Sequence, residues 1–361
     1  MIAIYIVCMR LLMEGVETVN CGISGYRFAS IQPEENEMKR FNNILCVMTP
    51  GAGRKPALER AVTLAENNQA NLTVVDVVKR VPAGIGIPGG GPVFMDLQTA
   101  IVDAREQELD SLIEPYRQRI NVQTKVLTGT PFLEIIREIL RNGRDLVIKT
   151  AETWEWQDRL FSSDDMHLLR KCPCPVWIML PEEKPKYSRI MATIDFDLCE
   201  EDTGGNDLNR LILELASSIA LSNFAELHVV HAWEPVTESL IRVFSSDLSA
   251  EQIAANVDHE RRDQQAQLER LTGRLRSWIG AEAYDYLLPK LDLRQGNARK
   301  EIPAQAKRID ADLIVMGTVA RTGLAGFFMG NTAETILNQL DCAVLAVKPP
   351  GFVTPVTLED E

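Results

Sequence analysis

The sequence runs twice through the same order of apolar and helical segments, and this internal repeat constrains the fold more than any other feature. In each copy an apolar run is followed by a helical pattern and then by a second apolar run. The corresponding segments are residues 44–50 and 189–197, residues 56–65 and 209–220, and residues 71–78 and 225–230. Each copy continues through a long amphipathic helix to further apolar runs. The chain is therefore a duplication of one unit of about 150 residues.

The apolar runs are nearly continuous rather than alternating, and a helical pattern separates each from the next. Strands of this kind belong to a parallel sheet that helices cover on both faces. We therefore predict an α/β protein with two tandem doubly wound parallel-sheet domains. In such folds ligands bind beyond the carboxyl ends of the strands, where the strand order reverses. This rule selects Asp195, Val229, His231 and the loop that begins at Gly317.

A proline-rich, charged stretch separates the two copies and is typical of a linker. The predicted organisation is a first domain at residues 38–180, a linker at residues 181–187, a second domain at residues 188–349 and a C-terminal tail at residues 350–361. We expect residues 1–37 to be a loose N-terminal extension, with Met38 as the start of the folded protein. The apolar opening of this extension is interrupted by Arg10 and follows no basic region. It therefore predicts neither a secretory signal nor a membrane span.

Charge and cysteine content narrow the classes of function. The 361 residues include 38 Lys and Arg against 51 Asp and Glu, which is a formal net charge of −13. This sign opposes phosphate contacts with nucleic acid. The seven cysteines lack the spacing of a disulfide framework, which indicates reduced thiols. We therefore expect a cytoplasmic protein with neither a nucleic acid nor a membrane as partner.

A glycine-containing loop follows the apolar run at residues 313–316. It extends from Gly317 to the start of a predicted helix at Gly330 and Asn331, and two further glycines lie between them. Glycine lets backbone amides approach a ligand closely, and the N–H groups at a helix N-terminus favour an anion. The loop therefore predicts a phosphate site.

With this loop the chain resembles the universal stress protein family, and the resemblance covers residues 38–348. Nucleotide-binding members carry Gly-x2-Gly-x9-Gly-(Ser/Thr), and this chain has Gly317-x2-Ala320-x9-Gly330-Asn331. The segments HLLRKCPCPVW in the first copy and GNTAE in the second are similar to those of tandem-domain members. The resemblance implies an adenine nucleotide alpha hydrolase-like fold. It also implies that the two domains pack as a pseudo-dimer through their final strands, residues 176–180 and 344–348.

The resemblance further implies roles for single residues. Asp195 matches the acidic residue that contacts the adenosine part of the nucleotide, and Val229 matches the residue whose backbone meets adenine. The phosphate loop supplies the remaining candidates, which are Gly317, Ala320, Arg321, Gly330, Asn331 and Thr332. Ala320 places a Cβ where the family usually has none, and Asn331 supplies an amide in place of a hydroxyl. The implied cofactor is ATP with magnesium.

The first copy has lost this site by the same comparison. Thr49 and Pro50 stand where Asp195 stands in the second copy, and the loop at residues 150–158 contains no glycine. Its indoles and carboxylates oppose phosphate on steric and electrostatic grounds. Trp154 and Trp156 either pack over the sheet edge or form a surface for a protein partner.

Other motifs are weaker. Residues 84–92 are glycine-rich, which fits a mobile loop better than a ligand cradle, and residues 50–56 lack the spacing of a Walker motif. Cys172-Pro173-Cys174 precedes an apolar run and has no partner pair at zinc spacing, so we read it as the start of a strand. Glu200-Glu201-Asp202 is either a solvated surface or a source of magnesium ligands.

Three functions remain open at this stage. The first is a cytoplasmic, non-catalytic stress-response or signalling module that binds ATP in its second domain. The second is a slow ATP-dependent hydrolase, although no nucleophile and histidine form a recognisable catalytic arrangement. The third is an interaction protein, or a carrier of an apolar ligand, without nucleotide. The sequence also leaves open whether two chains associate as a homodimer.

Overall fold

The computed structural model describes most of the chain from Phe41 onwards. The described ranges are residues 41–48, 54–81, 91–152, 161–182, 184–196, 205–236, 249–319 and 329–358. Several predicted features lie outside these ranges. They are residues 1–37, Thr49 and Pro50, the glycine-rich loop at residues 84–90, Trp154 and Trp156, Glu200-Glu201-Asp202, and Ala320 and Arg321.

Ten strands lie along the described ranges, and helices separate all of them except β5 and β6, which the linker joins. The strands are β1 (Asn43–Met48), β2 (Asn71–Val78), β3 (Val122–Thr128), β4 (Leu146–Thr150), β5 (Val176–Met179), β6 (Arg189–Ile194), β7 (Glu226–Trp233), β8 (Lys290–Gln295), β9 (Leu313–Gly317) and β10 (Ala343–Val347). We call β1–β5 with their helices the first half and β6–β10 with theirs the second half.

Helices of very different lengths connect the strands. They are α1 (Arg54–Asn68), α2 (Gly91–Ile113), α3 (Pro131–Asn142), α4 (Ser163–Lys171), α5 (Gly205–Asn223), α6 (Ala250–Ile279), α7 (Ala281–Leu287), α8 (Ala298–Ile309) and α9 (Asn331–Leu337). A 3-10 turn at Glu114–Tyr116 follows α2. None of the helical segments in the described ranges has the length and apolarity that crossing a membrane requires.

All ten strands form one sheet, in the order β3-β2-β1-β4-β5-β10-β9-β6-β7-β8. Within each half the pairs are parallel, and the order is that of a doubly wound fold. The halves join where β5 and β10 pair antiparallel, with Trp177 opposite Leu345. The prediction of two doubly wound domains packed as a pseudo-dimer through their final strands is confirmed.

The continuous apolar runs are explained by a core on each face of the sheet. In β1, Ile44 and Cys46 face one core, which α1, α2, α5 and α6 cover. Leu45 and Val47 face the other, which α3, α4, α8 and α9 cover. Successive side chains of a strand point to opposite faces, so a strand that is buried on both must be apolar throughout.

Candidate functional site

The strand order of the second half reverses between β6 and β9. From β6 the chain proceeds outward to β7 and β8, and it then returns to the other side of β6 as β9. Thr193 is paired with Met316, so Asp195 and Thr318, two residues further along each strand, stand level with each other. Ligands of doubly wound folds bind at such a reversal. The predicted residues Asp195 and Gly317 therefore flank the expected crevice.

Asp195 is exposed and follows β6 directly. Its backbone is fixed by Asn209 in α5, whose Nδ2 donates to the Asp195 carbonyl oxygen at 2.7 Å. The Asp195 N–H donates to Oδ1 of the same asparagine at 3.3 Å. Because Asn209 is buried, these bonds hold the aspartate in a defined position at the edge of the sheet.

Gly317 ends β9, and its lack of a side chain has a packing reason. A Cβ at this position would lie 2.9 Å from Cδ2 of Leu208 in α5. The Leu208 side chain of α5 therefore packs directly against Gly317, and a larger residue there would require this buried side chain to shift. The glycine that the sequence assigns to ligand approach is needed for helix–strand packing as well.

The two ends of the predicted phosphate loop meet beyond β9. Val319 and Met329 form an isolated antiparallel bridge, and the Gly330 N–H donates to the Thr318 carbonyl oxygen at 3.1 Å. Gly330 is the N-cap residue of α9, with φ of −61° and no side-chain capping bond. Asn331 and Thr332 are exposed in the first turn of this helix. The first N–H groups of a helix have no partner within it, so this end presents donors to a ligand.

A buried lysine that sequence analysis missed lies beside the loop. Nζ of Lys348 donates to the carbonyl oxygen of Leu169 at 2.6 Å and to the Thr318 hydroxyl. Burial lowers the pKa of Lys348 from 10.5 to about 8. Among the described residues no carboxylate forms an ion pair with it. The sequence contains one signal that could have identified this residue. A lysine follows the apolar run of β10 directly, whereas the aligned residue of the first half is the apolar Leu180.

The structure places Val229 and His231 inside β7, and the expectation that they follow the strand is wrong. Val229 is fully buried and is paired with Ala192 on one side and Leu291 on the other. The ring nitrogens of His231 lie 3.1 Å from the Ile194 carbonyl oxygen and 3.0 Å from Oε1 of Gln264. His231 is thus a hydrogen-bonded core histidine, and Val229 is not at the carboxyl edge beside Asp195.

The same position in the first half contains a buried ion pair. Nζ of Lys149 in β4 donates to Oδ1 of Asp165 at 2.7 Å and to Glu152 at 2.9 Å. Asp165 is fully buried and forms a capping box with Ser162 at the start of α4. Its carboxylate also accepts the N–H groups of Ser162 and Glu152. A protein carboxylate therefore already occupies the helix N-terminus, where a ligand anion would bind.

The repeat aligns these residues with uncharged ones in the second half. In the aligned strands Lys149 corresponds to Met316, and in the helices that follow Asp165 and Ala333 are both the third residue after the N-cap, with one more residue between strand and helix in the second half. Both positions of the second half are buried and apolar. Among the described residues of the second half, no buried carboxylate caps this helix N-terminus as Asp165 does in the first half, and Glu334 in its first turn pairs with Arg170 of α4 instead.

The described sheet and crevice define a tandem pair of doubly wound α/β domains, joined through their final strands and asymmetric at the two strand reversals. The model of the universal stress protein family matches residues 40–179 and 186–348, and the chain belongs to this family.

Known relatives extend over nearly the whole chain. Universal stress protein E of Escherichia coli (strain K12) is 29% identical over 339 residues, which cover 90% of this chain and 99% of that protein. Universal stress protein E of Photorhabdus laumondii is 26% identical over 333 residues, which cover 90% of this chain and 100% of that protein. A crystal structure of PA1789, a protein of unknown function from Pseudomonas aeruginosa PAO1, is similar with a TM-score of 0.60 and 28% identity. It covers 87% of this chain and 95% of that one.

Proposed function

We propose that this universal stress protein is a cytoplasmic, non-catalytic stress-response module that binds ATP with magnesium in its second half. The observation that carries the proposal is the crevice between β6 and β9. Asp195 flanks it on one side, and the N-terminus of α9 and the buried Lys348 lie on the other. The first half has a carboxylate of its own at the matching helix N-terminus. We therefore propose that it serves as a structural or interaction domain.

Charge supports an anionic ligand at this crevice. A buried ammonium without a carboxylate partner is costly, and a phosphate nearby would stabilise its charged form. The φ of Gly330, −61°, is accessible to any residue, so the backbone conformation does not require glycine at this position. The absence of a side chain instead leaves the approach to the first turn of α9 open. The described residues contain no group of three or more side chains arranged as a metal site. Magnesium would therefore be held chiefly by the nucleotide phosphates and water.

The environment of His231 in β7 supports a non-catalytic function. His231 is paired with Ile194, the residue before Asp195, yet both of its ring nitrogens lie within hydrogen-bond distance of protein acceptors. It is also 2% exposed. A general base must reach the proton that it takes, and this ring is held inside the sheet instead.

Cytoplasmic location is supported by the cysteines. The four cysteines in the described ranges, Cys46, Cys172, Cys174 and Cys342, are buried and are in the thiol form rather than in disulfides. Sγ of Cys172 and Sγ of Cys174 lie 3.6 Å apart, which is a hydrogen-bond distance for sulfur and too long for a disulfide. Free thiols at this separation are typical of a reducing compartment.

Isothermal titration with ATP and magnesium tests the proposal. We expect one site per chain, with affinity reduced by Asp195→Ala and by Gly330→Val. The matched control is Asp341→Ala, which removes an exposed aspartate before β10 at the opposite edge of the sheet and should bind like the wild type. Absence of binding heat, together with a melting temperature that ATP does not change, would favour the nucleotide-free interaction protein. Repeated release of phosphate from bound ATP would favour the hydrolase.

A further inference from the structure

Two pseudo-equivalent crevices lie between the halves. Each lies beside an aromatic residue that is two positions before the first strand of one half. Tyr187 precedes β6, and Phe41 precedes β1. The Tyr187 crevice contains Arg60 of α1, and the Phe41 crevice is bordered by Leu215 of α5. The repeat aligns Arg60 with Leu215 without a gap, as LERA at residues 58–61 and LELA at residues 213–216.

The protein fills the Tyr187 crevice with its own guanidinium group. The Arg60 guanidinium carbon lies 4.2 Å from the centroid of the Tyr187 ring. Its Nη1 donates to Oδ1 of Asn223 at 3.2 Å, and its Nη2 donates to the Lys184 carbonyl oxygen at 3.0 Å. A crevice of this construction therefore accepts a guanidinium stacked on an aromatic ring.

Each crevice also has an aspartate before its fourth strand. Asp312 accepts two backbone N–H groups at the start of β6 and the Nζ of Lys184 at 2.6 Å. Asp145 accepts the two matching N–H groups at the start of β1, at 2.6 and 3.0 Å. The residue aligned with Lys184 is Met38, which carries no charge. Arg60 and Lys184, the two cations of the Tyr187 crevice, are thus aligned in sequence with uncharged residues.

The Phe41 crevice contains space where Arg60 lies in its counterpart. A cavity of about 220 Å³ is lined, among the described residues, by Phe41, Asp145, Pro175, Leu211, Glu214 and Leu215. This volume corresponds to about seven water molecules of the liquid. These lining residues are apolar apart from the two carboxylates, and Glu214 is paired with Arg210 at 2.9 Å. The Asp145 carboxylate and the aromatic ring of Phe41 favour a compact organic cation.

We propose that the Phe41 crevice is a binding site for a small guanidinium compound. The ligand replaces the arginine that the second half lacks at position 215, with its planar group against Phe41 and its N–H donors toward Asp145 and Glu214. A guanidinium matches a carboxylate with two parallel hydrogen bonds and stacks on an aromatic face. The site lies at the amino ends of the strands, away from the nucleotide crevice, and is independent of the proposed nucleotide function.

Titration of the full-length protein with agmatine tests the proposal. We expect one agmatine per chain and a rise in melting temperature, because a ligand that binds only the native state stabilises it. The neutral analogue N-carbamoylputrescine has the same shape without the charge, and it should bind at least about tenfold more weakly. ATP should leave agmatine binding unchanged.

Three variants make the test specific. Leu215→Arg supplies the guanidinium from the chain and should abolish agmatine binding, while Glu214→Gln should weaken it about tenfold. Arg60→Leu empties the Tyr187 crevice and should raise the stoichiometry from one to two. Circular dichroism melting verifies that each variant is folded. Equal binding of agmatine and its neutral analogue, or wild-type binding by both Leu215→Arg and Glu214→Gln, would overturn the proposal.

Discussion

Lys348 of the second half donates a hydrogen bond of 2.6 Å to the carbonyl oxygen of Leu169, which lies in the last turn of α4 in the first half. The same ammonium contacts the hydroxyl of Thr318, directly after β9. The charge beside the candidate phosphate loop is therefore held in place by both halves. Two domains that repeat one fold are thus not interchangeable, because the first supplies an acceptor to the site of the second.

The buried Lys348 predicts a pH dependence of stability. Burial lowers its pKa from 10.5 to about 8, so between these values the unfolded chain binds more protons than the native protein. The free energy of unfolding should therefore rise as the pH increases from about 8 to 10.5, by up to about 3 kcal/mol from this group. Urea unfolding at a series of pH values measures this rise.

Lys348→Met should remove the rise, because methionine has no proton to lose. The control is Lys55→Met, which removes an exposed lysine of α1 and should leave the pH dependence of the wild type. If Lys348→Met and the wild type give parallel curves above pH 8, the pKa of Lys348 is not depressed.

The general architecture follows from sequence because it depends on local patterns. Continuous apolar runs separated by helical patterns are sufficient to predict two doubly wound domains, and family resemblance extends the prediction to pairing of the final strands. The bond from Lys348 to Leu169 joins residues 179 positions apart. No local pattern marks such a pair, because the bond depends on how α4 of one half packs beside β10 of the other.

The course of β7 was harder to predict for a different reason. A polar residue such as His231 normally indicates that a buried strand has ended. Here the Ile194 carbonyl oxygen and Gln264 satisfy the ring inside the sheet, and the strand continues to Trp233. The acceptor that makes this possible lies on α6, far along the chain. The prediction that Asp195 and Gly317 lie at the carboxyl edge of the sheet was therefore correct, whereas the prediction that Val229 lies at this edge was wrong.

The buried ion pair of Lys149 and Asp165 predicts that substitutions of these two residues have strongly non-additive effects on stability. Asp165→Ala should lower the free energy of unfolding by about 3–5 kcal/mol, because it removes the buried carboxylate and leaves the Lys149 ammonium with the partly exposed Glu152 and the Thr150 carbonyl oxygen. The double variant Lys149→Met, Asp165→Ala reproduces the residues of the second half at these positions. It should be more stable than Asp165→Ala alone, as chemical denaturation of the four proteins of the cycle can measure. Additive effects of the two substitutions would contradict the prediction.

The contact between Gly317 in β9 and Leu208 in α5 predicts a second non-additive effect on stability. Gly317→Ala should destabilise the protein by about 1–3 kcal/mol, because the new methyl group would lie 2.9 Å from Leu208. In a Leu208→Ala background the same substitution should cost much less, since the contacting atom is gone. Gly273→Ala is the control, because a Cβ there has nothing within 4 Å. An equal cost of Gly317→Ala in both backgrounds would show that the glycine is needed for another reason.

If ATP binds beside Lys348, its affinity should depend on the charge of that lysine. With a pKa of about 8, the ammonium is mostly protonated at pH 7 and mostly neutral at pH 9. A phosphate favours the protonated form, so ATP affinity should fall as the pH rises through this range, and binding at pH 8 to 9 should be accompanied by proton uptake. Calorimetry in two buffers of different ionisation enthalpy measures that uptake directly. Lys348→Met should bind ATP more weakly at pH 7 and should lose both the pH dependence and the proton uptake. If Lys348→Met takes up as many protons as the wild type when ATP binds, another group takes up the protons. ATP would then not bind within reach of Lys348.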